Sequence, residues 1–522
     1  MMTFDSLPIL RVFARRGPGG GRVQPIPSAA FQICRLASEG HGRLRQKPDF
    51  KQGVYRPSPS QLSLQHVALT LLRKRTYPTG FRVYSILMLS CFVWGAVSRP
   101  AEAATVVAAN CSRASVGAAV GSASDGDTVR IPAGTCAWTT ELDVTKGISL
   151  IGDGIDRTIL QDGVPKNGNN GSSLIFFNVT QPRNFRVSSM TIQGLTSTPD
   201  PSVFNKGHLR LAGTARAFRV DHVSFAAQQT NGIRIEGYLW GVVDHSKFSG
   251  DYKQGVVVSH AEWGGNGYGD GSWAEALHPG SEKAVYVEDC DFTELNPSNS
   301  SGAIDALDGA RVVLRYNTLH NQNGTSHGAD SSQRNRGVRW LEVYNNSYAF
   351  DSSHSVAYVQ WIRGGSGVFF SNNVAVPSAG WINKVVQTSN CRDADAGCGG
   401  PSYPPWGACD GSGPYDGNTA NQHGYRCVDQ PGSGTSGLLS GDPPSPVQPV
   451  GNALEPIYVW NNIVDGLPND STAGSTNVQG GRDFMVSQPR PDYTAYVYPH
   501  PLIAGDGAVA TPPAPQNLRI IK

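Results

Sequence analysis

The chain has 522 residues, with 61 glycines, 35 prolines and only 16% charged residues, a balance that excludes a mainly helical protein and describes a turn-rich β body. Charge is unevenly placed: residues 1–103 carry 15 Lys/Arg and 4 Asp/Glu, which leaves 28 basic and 37 acidic residues over 104–522, a net of −9. That acidic body argues against general affinity for nucleic acid or anionic membrane, and an anionic substrate would need a local basic patch or a bridging cation.

Residues 1–72 are rich in Arg, Pro and Gly and show no period, so they are expected to lie outside the fold, ahead of the true start. Arg73, Lys74, Arg75 and Arg82 then precede the apolar run Val83–Val97, and Ala-Glu-Ala follows at 101–103, so 73–103 has the three-part plan of a signal peptide. The run is shorter than the roughly 20 apolar residues that span a bilayer, so export is expected and a stable membrane anchor is not. Seven cysteines follow it: Cys111, Cys136, Cys290, Cys391, Cys398, Cys409 and Cys427. In an oxidising compartment one of them must stay unpaired.

Residues 112–123, SRASVGAAVGSA, read as a small amphipathic helix, and 126–138 and 147–154 read as strand–turn–strand units. A helix over the first coil would shield its open edge. A Cys111–Cys136 disulfide would tie that cap to the coil, with Cys290, inside an apolar strand pattern, left reduced. The last four cysteines crowd into one Gly/Pro-rich stretch without a CxxC pair, which favours loop-stapling disulfides over a zinc site.

From residue 220 a short pattern recurs, mostly at about 23 to 45 residues: VDHVSF (220–225), VDHSKF (243–248), VEDCDF (287–292), LRYNTL (314–319), VYNNSY (343–348), FSNNVA (370–375) and VWNNIV (459–464). Each is a strand with alternating inward residues that ends in a polar turn, too small to bury its own apolar face. Stacking into a parallel solenoid solves that problem. The alignment puts Val223, Ser246, Cys290, Asn317, Asn346, Asn373 and Asn462 in one column, where amides about 4.8 Å apart can bond as a structural ladder. Two excursions interrupt the repeat, an aromatic loop at 261–283 and the cysteine-rich stretch 388–450, and residues 505–522 form a tail.

The segments GDTVRIPAGT (126–135) and ISLIGDG (148–154), followed by coils bearing FRVDHVSF and GVVDHSKF, resemble the pectin-lyase-like superfamily, whose pectate lyases carry a "vWIDHc" segment. The resemblance covers roughly 104–504 and implies an all-β, right-handed single-stranded parallel β-helix with an N-terminal capping helix. Its implications for activity are broader, since the fold hosts lyases, hydrolases, epimerases and adhesins. NGIRIEG lies where pectate lyases carry a calcium-ligand segment, but Asn231 replaces the Asp. The body has no RxPxxR motif and no polygalacturonase NTD, DD or GHG signature; SHGAD at 326–330 keeps only the His-Gly.

Stacking makes distant residues neighbours. HLRLAG (208–213), IRIEG (233–237) and AIDALDG (303–309) align so that Arg210, Arg234 and Asp305 share an outward column, with Glu236 and Asp308 beside it. His260 and His327 come from adjoining coils, and Trp263, Tyr268 and Trp273 from the loop above, where aromatic rings can lie against sugar faces. Arg210 and Arg234 with His327 or His260 would suit β-elimination on a uronic acid polymer, which needs carboxylate neutralisation and a base. Glu236, Asp305 and Asp308 would suit glycoside hydrolysis. A lyase on an acidic polysaccharide is the leading expectation; a glycan-binding surface rod and a solvated salt-bridge ladder are the alternatives. On the repeat itself Asp221, Asp244 and Glu288 form a row before Arg315, fit either for calcium or for pairing with that arginine.

Overall fold

The computed structural model describes residues 103–504 except 166–171, 182, 196–205, 227–229, 252, 296–301, 330–333, 355–357, 394–404, 412–413, 417–426, 435–436 and 446–452. The expected extension 1–72, the signal segment as far as residue 102, Cys398 and the tail 505–522 lie outside the described residues.

Among the described residues the strands form two systems, one of 10 strands and one of 21, the latter because most coils contribute two strands bent about a corner. Leu209–Gly213, Ile233–Glu236, Val256–Ser259 and Ile304–Leu307 stack in parallel, residue on residue, which makes the body a parallel β-helix. The alternation causes this arrangement. Ile233 and Ile235, Val256 and Val258, and Ile304 and Ala306 are fully buried, each Ile or Val contributing about 1.5–3 kcal/mol once its coil is covered by the next. Inside, Phe225, Phe248 and Phe292 stack with ring centroids 5.0 and 4.5 Å apart.

The corner between the two strands of a coil is held by a left-handed residue, φ between 47° and 58°, at His222, His245, Asp289, Tyr316, Asn345, Ser371 and Asn461. Such a backbone is uncommon outside glycine and needs support. After Tyr316, Asn345, Ser371 and Asn461 the next residue is an asparagine that supplies it from inside. Asn317 Oδ1 accepts from the Cys290 N–H (2.9 Å), Asn346 Oδ1 from the Asn317 N–H (3.0 Å), Asn372 Oδ1 from the Asn346 N–H (3.1 Å), and Asn462 Oδ1 from the Asn372 N–H (3.1 Å). Asp470 closes the column by accepting from Asn462 N–H and Nδ2 at 2.9 Å. The expected ladder is therefore one residue out of register in one coil. Phe369 pairs with Val459, which sets Asn372 beside Asn462, while Asn373 opens the strand Asn373–Ala375 and faces solvent.

The N-terminal cap is the helix Arg113–Ser122, whose Val116, Ala119 and Val120 are buried on the first coil. Ser112 caps its start by accepting from the Ser115 N–H, and Lys146 Nζ donates to the carbonyls of Val120, Gly121 and Ala123 at its end, where the dipole favours a cation. Cys111 and Cys136 are disulfide-bonded, as are Cys409 and Cys427, and Cys290 is a buried free thiol. No described helix is long and apolar enough to cross a membrane. After the last coil the chain turns back along the outside: Tyr493 reaches Glu342, Tyr498 reaches Asp289, and the His500 N–H donates to Glu288.

Candidate functional site

The 10-stranded sheet sets Arg210, Arg234, Val257, Asp305, Thr325 and Trp361 in one register column on its outer side. The expected alignment of Arg210, Arg234 and Asp305 thus holds, with Val257 of the long-loop coil between the last two. Two residues further along each strand, Glu236 follows Arg234, and His327 and Arg363 lie at the corresponding places of later coils.

Three cations close on Glu236. Arg234 Nε donates to Oε1 (2.5 Å), Arg210 Nε to Oε2 (2.7 Å), and Lys206 Nζ to Oε1 (3.2 Å). Burial alone would raise this carboxyl, but Arg234, Arg210 and Lys206 outweigh it and bring its pKa down to about 2. Glu236 is therefore ionised throughout any physiological range. Arg210 also lies over the Phe176 ring, 4.3 Å from its centroid.

Asp305 is buried at the next charged position. Its Oδ2 accepts from His327 Nε2 at 3.0 Å and from Gln254 Nε2 at 2.9 Å, while its buried Oδ1 has no partner among the described residues. Arg363 holds the other side of the imidazole, its Nη2 donating to His327 Nδ1 and its Nε to the Ser326 carbonyl (2.7 Å). A guanidinium only donates, so Nδ1 accepts and the proton of His327 sits on Nε2, facing Asp305. Burial pushes Asp305 up, yet His327, with Arg363 and Arg234 behind it, holds the carboxyl below its ordinary range. Asp308 behaves oppositely. Ser259 donates to its Oδ2 (2.7 Å) and Asn335 to its Oδ1 (2.8 Å), but burial dominates and holds its carboxyl above the usual range. Arg234 and His327 are within electrostatic reach of both aspartates.

The aromatic loop corrects the expectation. Trp263 and Trp273 are fully buried and cannot lie against a sugar. Trp263 donates to Glu275 (2.6 Å) and packs on His260 with centroids 4.7 Å apart; Trp273 donates to the Gly337 carbonyl (2.8 Å) between Arg336 and Arg339. The loop is a folded plug, seated so closely that a Cβ on Gly269 would meet the Asp308 backbone at 2.6 Å. Tyr268 is the partly exposed aromatic of the three, with Arg334 over its ring at 4.7 Å. His260 is likewise excluded from the charged cluster. It is buried, accepts from the Arg311 N–H (3.2 Å), and burial with Arg311 nearby drives its imidazole down to about 3, so it is neutral. The Arg363 clamp, Gln254, Ser259, Asn335 and the outward Trp361 were missed. Extending the column alignment one coil past His327 would have found Arg363 and Trp361.

The calcium row is also corrected. Asp221 takes two hydrogen bonds of 2.7 Å from Arg186, Asp244 two of 2.9 Å from Arg219, and Glu288 one of 2.6 Å from Arg315 Nε. Each buried carboxylate already has a guanidinium, which removes the repulsion a hard cation would relieve. Of these three carboxylates Arg315 hydrogen-bonds Glu288, while the two aspartates take their bidentate arginines from the preceding coil. Cys409, Asp416 and Cys427 also come together, but the two sulfurs are joined to each other.

No family model and no curated protein matches this chain. Among solved structures it is similar to an alginate lyase from Paenibacillus sp. str. FPU-7 at 13% identity, covering 54% of this chain and 90% of that one, with a TM-score of 0.31. It is also similar to the catalytic domain of a GH87 α-1,3-glucanase in complex with nigerose, at 11% identity over 75% of this chain and 68% of that one, TM-score 0.28.

Proposed function

We propose that the protein is an exported carbohydrate-active enzyme that hydrolyses a polysaccharide with Asp308 as general acid and Asp305 as the ionised carboxylate. One observation carries this reading: the two aspartates share Arg234 and His327 as neighbours, yet burial holds Asp308 up while the His327–Arg363 clamp holds Asp305 down. Two carboxylates pushed apart by their surroundings are what acid/base cleavage of a glycosidic bond requires. Asp305 Oδ1 accepts no hydrogen bond from the described residues, so of the four carboxylate oxygens it is the one with a lone pair to spare for a water. Glu236 ties Arg210 and Arg234 together beneath the substrate rather than acting on it.

Elimination on a uronic acid polymer fits less well. It needs a guanidinium free to neutralise the substrate carboxylate, and Arg210 and Arg234 both bind Glu236. It also needs a base, and both ring nitrogens of His327 are engaged. The lysine and two arginines around Glu236 nevertheless keep an acidic polymer among the substrates to be tried.

The test is incubation of the full chain with neutral glucans and uronic acid polymers, reading both new reducing ends and absorbance of new C=C bonds. Reducing ends without C=C absorbance, lost by 10²-fold or more in Asp308→Asn and Asp305→Asn, is the expected result. C=C absorbance would replace hydrolysis by elimination. Glycan binding without cleavage would make the protein an adhesive rod.

A further inference from the structure

We propose that His222 and His245 form a binding site for one borderline divalent transition-metal ion, zinc, nickel or copper, on the corner edge of the helix, with Asp289 as the flanking carboxylate. The site lies on the 21-stranded system, away from the Asp305 and Asp308 column, and does not depend on the reading of that column.

The two histidines occupy the same left-handed corner position in successive coils, at φ 52° and 47°. Their rings are parallel within 7° with centroids 5.3 Å apart, and their side chains are 53% and 44% exposed. Behind each ring stands a fully buried carboxylate: His222 Nδ1 is 2.9 Å from Asp221 Oδ2, and His245 Nδ1 is 2.9 Å from Asp244 Oδ2. Those carboxylates are fixed in turn by Arg186 and Arg219. A carboxylate accepts, so each Nδ1 carries the hydrogen and each Nε2 turns its lone pair away from the carboxylate. This carboxylate–imidazole support is the arrangement that orients metal-ligating histidines and raises their basicity.

The corner position does not itself require histidine. Asn345 and Asn461 hold the same left-handed backbone in later coils at φ 56° and 58°. Two imidazoles with matched carboxylates therefore do more than make a turn. A metal–imidazole bond of about 2.0–2.1 Å lies in the plane of its ring and sets two ligating nitrogens at most about 4 Å apart, so the two parallel rings must tilt towards each other to take one ion. Asp289 continues the column one coil further, fixed by the Tyr498 hydroxyl at 2.7 Å, and supplies the negative charge a divalent ion favours. Beyond it the column changes to Tyr316, which confines the metal-binding chemistry to three coils.

The experiment titrates copper(II) and zinc into chelator-treated full chain, with calorimetry for affinity and electron paramagnetic resonance for the copper ligands. We expect a saturable ion with splitting from two imidazole nitrogens, weakened at least ten-fold by His222→Asn or His245→Asn and several-fold by Asp289→Asn. Asparagine suits the corner backbone, so these variants should fold, and His320→Asn, at an exposed histidine elsewhere that faces Asp351, should bind as the parent does. No saturable binding, a copper spectrum with a single nitrogen, or unchanged affinity in the His222→Asn/His245→Asn double variant would overturn the proposal.

Discussion

Replacing Asn372 by alanine should destabilise the fold by about 3 kcal/mol, whereas the same change at its neighbour Asn373 should cost under about 0.5 kcal/mol. Asn372 is 1% exposed. Its Oδ1 accepts from Asn346 N–H (3.1 Å) and Asn346 Nδ2 (3.0 Å), and its Nδ2 shares its two hydrogens among the Val343 and Phe370 carbonyls (3.0 and 3.2 Å) and Asn462 Oδ1 (3.1 Å). Truncation strands the Asn346 N–H in the interior, a loss of about 1–3 kcal/mol, and each further bond adds about 1 kcal/mol or less because the deleted amide removes its own donors. Asn373 is exposed at the start of its strand and gives up none of these. Urea unfolding of both variants, followed by circular dichroism with the slope compared to the parent, reads the difference directly. Equal midpoints, or a more harmful Asn373→Ala, would refute the ladder register and the physical account of the left-handed corners.

Glu236→Gln should remove an acid-dependent part of the stability. The folded carboxyl at about 2 lies below its ordinary value of 4.5, so the stability it contributes is full above about pH 4.5 and is lost as pH falls towards 2. The variant should be up to about 3 kcal/mol less stable at neutral pH and show a flatter stability curve between those values, measured by urea midpoints across pH; a curve parallel to the parent's would contradict the three-cation clamp. Trp273→Ala should cost about 3–5 kcal/mol by emptying a buried site while glycan affinity of the folded protein stays the same, measured by unfolding and by binding in parallel. A loss of affinity without a loss of stability would restore the indole to the substrate surface.

The candidate site was partly legible for a definite reason. Strand alternation fixes which residues point outward, and in-register stacking turns an alignment of repeats into a map of neighbours, so Arg210, Arg234, Glu236 and Asp305 could be placed on one face from their spacing alone. The same logic fails wherever the chain leaves the coil. His260 lies just past the end of its strand, and Trp263 and Trp273 belong to a loop with no period; whether a loop indole faces solvent or fills a hole depends on the surface beneath it.

By itself the sequence determined the parallel β-helix, the capping helix, the Cys111–Cys136 bond and the unpaired Cys290, because each follows from periodicity or from a residue's place within it. Only the tertiary structure decided which of two adjacent asparagines carries the ladder, which arginine neutralises which carboxylate, and that Arg363 locks His327 onto Asp305. Those are choices among side chains of equal chemistry and similar reach. They are settled by sub-ångström packing and by the burial of the charge, neither of which a linear pattern records.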